Sequence, residues 1–175
     1  MPRDDEGAAA GPIPQGASGA PHPRARPTSR WRARQAERLA SVPHASCGDP
    51  PPIGLRHGIE QFNLREYFEC HETLEGIWNE EPGPVRTLYK GILQVGVACY
   101  HLLRGNYRGA TIKLRSGANY LEPFAPHCMG VDVAQLIGDA RRLHAALIEL
   151  GPEHFMTVDL ALLPRVELDD HLTVE

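Results

Sequence analysis

Between Pro84 and Gly105 the chain carries "GILQVGVACYHLL", and its apolar side chains point to more than one side of any helix it forms. Val85, Leu88, Ile92, Val95, Cys99 and Leu102 recur at helical spacing along one face. Leu93, Val97 and Tyr100 carry apolar character round to the other side. A helix apolar almost all round lies at the centre of a bundle or is covered by a second subunit. The rest of the chain or a second subunit must supply that cover.

Three further helical segments are available for it. Leu64, Tyr67, Phe68, Leu74 and Trp78 fall on a single arc, so a helix is expected over 64–79. Asn63, three residues ahead of Glu66, has the spacing of a capping pair at its start. "EEPGP" ends it, and Pro84 suits the first turn of the next helix, which closes at "RGN" (104–106). A third helix is expected over 107–124 with Ala110, Leu114, Ala118 and Leu121 inward, broken by "PFAPHC". A fourth follows over 131–151, amphipathic through Val133, Leu136, Ile137, Ala140, Leu143, Leu147 and Leu150, and stopped by Gly151-Pro152. "FMTVDLALLPRVEL" is read as an extended or single-turn segment packed back on the bundle; no strand hairpin and no repeat is expected. The expectation is an all-α protein, a compact four-helix bundle-like domain over 58–166, with a short C-terminal tail over 167–175.

Residues 1–57 read differently. Ten of the 16 prolines lie within 1–58, with 8 Arg/Lys and 5 Asp/Glu, so this part is basic while 59–175 holds 10 Arg/Lys against 17 Asp/Glu. Such a segment buries too little apolar surface to offset its ordering entropy, and a disordered Pro/Arg-rich tail is expected. Within it "RARPTSRWRARQAERLA" (24–40) has six arginines and one glutamate. Contact with nucleic acid phosphates, contact with an anionic membrane surface and a plain solvated tail are the three readings, the last being favoured.

Cys47, Cys70, Cys99 and Cys128 are widely spaced and form no CxxC pair, so four reduced thiols and a cytoplasmic protein are expected. No stretch reaches the roughly 20 apolar residues of a membrane span, and "MPRDDEGAAAGP" has no apolar signal core. A homodimer is expected, formed through the helix over 84–104 or the one over 131–151, because the former carries more apolar surface than one neighbour covers.

Few polar residues sit where they are costly to keep. His71 falls within the apolar arc of "YFECHETLEGIW", with Glu75 one turn later on the same face and Glu69 and Glu72 pointing outward. Gln94 and His101 share a polar strip of the following helix, with Lys90 nearby. If the two strips meet, three chemistries are open: a buried polar network, a small-molecule or acid–base pocket, or a divalent-metal triad of His71, Glu75 and His101 with Gln94 behind it. "HETLE" resembles the HExxH signature of zinc hydrolases, but Glu75 stands where the second imidazole belongs. The network is the favoured reading and metal the minority one. "RGNYRGA" lacks phosphate-loop spacing, and Gly105-Asn106 is read as a helix terminator beside Arg104 and Arg108. His127, His144, His154 and His171 have no partner at ligand spacing.

"YFECHETLEGIW", "GILQVGVACYHLLRGNYRGA" and "VDLALLPRV" together resemble, in order, the motifs of domain-of-unknown-function family 309, over about residues 59–165. The resemblance implies a compact helical bundle and no established activity, cofactor or enzymatic class. The family's polar positions fall on His71, Glu72, Glu75, Trp78, Gln94, His101, Gly105, Asn106 and Gly109. His71, Glu72, Glu75, Trp78, Gln94, His101 and Asn106 are the candidate binding residues.

Overall fold

The structure is a computed structural model that describes residues 43–169. The expected disordered tail falls mostly outside the described residues, as do its Arg-rich stretch and the last six residues of the chain.

Among the described residues there are five α-helices: α1 (Ile53–Asn63), α2 (Tyr67–Glu80), α3 (Arg86–Leu103), α4 (Tyr107–Leu121) and α5 (Val133–His154). The fold is all-α. One helix more is present than the periodicity announced. α1 begins ahead of Gly58, and Leu55, Ile59 and Phe62, at spacings of four and three, bury themselves against the bundle. Asn63 closes α1 and does not cap the next helix, which starts at Tyr67. Between them Arg65 takes φ 64° to turn the chain. Freed from capping, the Asn63 side chain imitates a strand neighbour. Its Oδ1 accepts from the Val166 N–H and its Nδ2 donates to the Val166 carbonyl, both at 2.9 Å. That pair fastens the segment after α5 onto the α1–α2 turn.

α3 lies at the centre. It packs on α2 to one side and on α4 to the other, α4 packs on α5, and α1 packs on α2. Leu88, Tyr89, Ile92, Leu93, Val95, Ala98, Cys99 and Leu102 of α3 are all buried within one chain. The covering that suggested a second subunit is therefore supplied internally. The α3–α4 crossing is close because Gly91 and Gly117 face each other. A Cβ on Gly117 would meet Val95 Cγ2 at 2.8 Å and the Gly91 carbonyl at 3.2 Å, and one on Gly91 would meet Leu121 Cγ at 2.6 Å.

A two-stranded hairpin, β1 (His127–Cys128) with β2 (Val131–Asp132), joins α4 to α5. It corrects the expectation of no hairpin: at two residues per strand it is too short for alternation to reveal. Its turn is made by Met129 (φ 51°) and Gly130 (φ 77°), the left-handed pair that two-residue hairpins favour. Asp132 then caps α5 by accepting from the Gln135 N–H at 2.9 Å. Gly151 breaks the α5 geometry with φ 71°, as Gly151-Pro152 predicts. Short 3-10 turns at Phe155–Thr157 and Leu160–Leu162 follow, and Phe155, Val158, Leu163 and Val166 pack back on the core.

The cysteines divide into two pairs. Cys70 and Cys99 are free and buried, and burial pushes both thiols up to about 12. Cys47 and Cys128 form a disulfide across 81 residues, which corrects the expectation of four reduced thiols. The Met129 N–H donates to the Cys47 carbonyl at 2.8 Å, so the hairpin holds the segment ahead of α1 by backbone as well as by sulfur. No spacing rule connects two cysteines so far apart; only the fold brings them together.

Candidate functional site

α3 is buried on most of its circumference, but Arg86, Lys90, Gln94, Val97, Tyr100 and His101 remain half-buried. Their spacing of three, four and seven residues makes one strip along the helix. The strip lies between the two neighbours of α3: Lys90 reaches Trp78 of α2 and Tyr120 of α4, and Gln94 reaches Ser116 of α4. Its two ends differ in chemistry.

At the C-terminal end of α3 a shallow cleft of about 210 Å³ opens against α2, lined by Tyr67, Phe68, His71, Val97, Tyr100 and His101. Three aromatic rings and a valine make it largely apolar, and two imidazoles edge into it. Tyr67 contributes its ring only. Burial and a hydrogen bond with Cys99 hold its phenol well above the ordinary range, so the hydroxyl is neutral and committed inward. Phe68 is 54% exposed and forms an outer wall. The Arg104 guanidinium lies 5.4 Å from the centroid of the Tyr100 ring, a cation–π contact that places a positive charge beside that ring.

The turn after α3 positions His101. Gly105 takes φ 74°, ending the helix, and Asn106 caps α4 by accepting from the Gly109 N–H at 2.8 Å through Oδ1. The other end of the same amide, Nδ2, lies 3.1 Å from His101 Nδ1. Gly109 is required by the crowding: a Cβ there would meet Asn106 Nδ2 and His101 Cγ, each at 2.7 Å. The "HLLRGNYRG" stretch is thus a cradle that orients one imidazole.

At the N-terminal end of α3 two cations share one ring. Arg86 and Lys90 approach Trp78 at 5.2 and 5.6 Å, and Lys90 also lies 4.4 Å from the Tyr120 ring.

The sequence-predicted residues therefore separate. His71 and His101 do meet at one cleft, and Tyr67, Phe68 and Tyr100, read from the sequence as core, turn out to be its walls. Glu75 pairs with His71 only loosely, at 4.0 Å, with side chains 47% and 38% exposed. That distance is too long for a hydrogen bond, and the exposure corrects the expected buried network. Glu72 is exposed. Trp78 is half-buried under its two cations, Gln94 accepts from the Ser116 hydroxyl at 3.1 Å, and Asn106 serves as a cap. Gln94 is thus engaged with α4, not set behind a metal. Among the described residues no group of three or more His, Cys, Asp and Glu is placed to hold a metal ion, so His71, Glu75 and His101 do not assemble as the anticipated triad. No described helix is long and apolar enough to cross a membrane.

A family model described as "Domain of unknown function (DUF309)" matches residues 55–112, the span from α1 through the cradle and the first turn of α4. The chain is also similar to the uncharacterized protein YpuF of Bacillus subtilis (strain 168), 38% identical over 90 residues, which cover 50% of this chain and 52% of that protein. The chain thus spans about half the length of the curated relative it matches. No solved structure matches it.

Proposed function

We propose that the helical domain, whose residues 55–112 match the DUF309 family model, is a binding module whose recognition site is the cleft between α2 and α3. One observation carries the reading: the aromatic walls of Tyr67, Phe68 and Tyr100 enclose about 210 Å³ with His71 and His101 at its edge. Binding sites are typically apolar hollows with a few convergent polar groups. This one is below the roughly 300–1,000 Å³ of drug-sized sites, so it suits a small molecule or a single side chain of a protein partner. Among the candidate residues His71 and His101 touch the ligand directly. Asn106 positions His101, while Trp78 and Gln94 belong to the strip beyond. A fragment titration followed by amide chemical shifts tests the reading: shifts grouped on Tyr67, His71, Val97, Tyr100 and His101 support it, and a library that leaves all five unmoved rejects it.

A metal-dependent hydrolase receives no support from the geometry, whereas a structural scaffold is favoured by one observation, that Asn106 and Gln94 each have a structural partner. A ligand-free domain in that titration would favour the scaffold. Self-association through α3 or α5 belongs to the proposal, with Leu103 and Ile148 on those helices 42% and 53% exposed. A cytoplasmic location and the Cys47–Cys128 bond pull in opposite directions, because cytosolic reductants keep thiols reduced. Thiol counting in acid-quenched cells distinguishes the two.

A further inference from the structure

The proton on His101 is placed by the cradle. Asn106 has one acceptor and one donor end, and the Gly109 N–H can bond only to the acceptor, Oδ1. The amide therefore cannot be flipped, and Nδ2–H must face His101 Nδ1 across 3.1 Å. A nitrogen that receives a donor carries a lone pair, not a hydrogen. In a neutral imidazole the hydrogen is then on Nε2.

We propose that the neutral form of His101 is held as its Nε2–H tautomer at the cleft and that the cleft takes a small aromatic carboxylate, the ring against Tyr67, Phe68 and Tyr100 and an oxygen accepting from His101. The ligand class rests on the binding reading above; the tautomer does not. Flat walls and a volume near 210 Å³ select a single ring. A fixed donor selects an oxygen acceptor. The Arg104 guanidinium over the Tyr100 ring favours an anionic one. The same tautomer opposes metal ligation through His101, because Nε2 offers no lone pair while Nδ1 accepts; metal-bound histidines donate from their second nitrogen instead.

The experiment uses the full chain, labelled with ¹⁵N, at pH 8.5, above the ordinary imidazole range. Long-range ¹H–¹⁵N spectra read each ring nitrogen, and loss of one ring's signals in His101→Gln assigns His101. The expected result is an Nε2–H tautomer. Asn106→Asp keeps the cap oxygen and replaces the donor by an acceptor, so it should move the proton to Nδ1 with the helices intact by circular dichroism. Titration with benzoate should then shift His101 Nε2 and the Tyr100 ring of the parent at a concentration at least tenfold below that needed by ethylbenzene, which has the ring and no acceptor. A parent His101 protonated on Nδ1 overturns the donor assignment whatever benzoate does, and leaves the binding reading standing. An Nε2–H His101 with ethylbenzene binding as well as benzoate overturns the ligand class alone. Neither probe moving any cleft residue overturns the ligand class and removes support from the binding reading, with the tautomer still established.

Discussion

The flank of α3 that closes on α4 and the half-buried strip between α2 and α4 belong to one helix and are built on opposite rules. On the α4 flank, Gly91 and Gly117 remove side chains so that backbones approach, and Leu88, Ile92, Val95 and Leu114 leave no room for water. On the open strip, Lys90, Gln94 and His101 are each fastened by a neighbour, yet each keeps part of its surface free. Stability is concentrated on the first flank, and the proposed recognition site lies on the second. Substitutions should therefore divide by flank and not by helix.

The largest effect is expected where the domain edge and the core coincide. A chain beginning at Gly58 lacks Leu55, fully buried, and Cys47, half of the disulfide. Loss of a buried leucine side chain costs about 2–5 kcal/mol and loss of a native disulfide a further 2–4 kcal/mol or so. Thermal melts should show the shortened chain largely unfolded, and an unchanged midpoint would mean that α1 adds nothing to the core. Leu114→Ala on the closed flank comes next, at about 2–5 kcal/mol by urea unfolding; a loss under ~1 kcal/mol would remove the contrast between the two flanks.

Asn63→Ala is expected to cost about 2 kcal/mol, because it leaves the Val166 N–H and carbonyl without their side-chain partner. The same melts on a chain ending before Val166 would remove that penalty if the assignment is correct. The smallest effect belongs to the open strip. Replacing His71 and Glu75 by leucine, singly or together, should change stability by no more than about 0.5 kcal/mol, with a coupling of similar size, as for exposed pairs one turn apart. A coupling above ~2 kcal/mol would restore the buried network that the 4.0 Å separation argues against.

The expectations that held were those carried by local repetition. α3, α4 and most of α5 were legible because a 3.6-residue period repeats over several turns, and Gly151-Pro152 punctuates the last of them. α1 was hidden: Pro50, Pro51 and Pro52 suggested continued disorder, whereas Pro52 stands ahead of the helix, where a missing N–H costs nothing. Asn63 was misassigned because the same residue type serves a helix start and a backbone clamp, and the difference lies 103 residues away at Val166.

By itself, then, the sequence determined that α3 is either central or covered by a partner subunit, where the helices after it stop, and which polar residues deserve a chemical explanation. Those are consequences of side-chain type and spacing along a few turns. Tertiary structure alone decided that Cys47 reaches Cys128, that Tyr67, Phe68 and Tyr100 wall a cleft, that Glu75 stays loose in solvent while Asn106 holds His101, and that Gln94 turns to Ser116. The physical reason is common to all four. Exposure, partner and proton position depend on which surfaces come within about 3–4 Å after packing, and residues far apart along the chain carry no local signal of that distance.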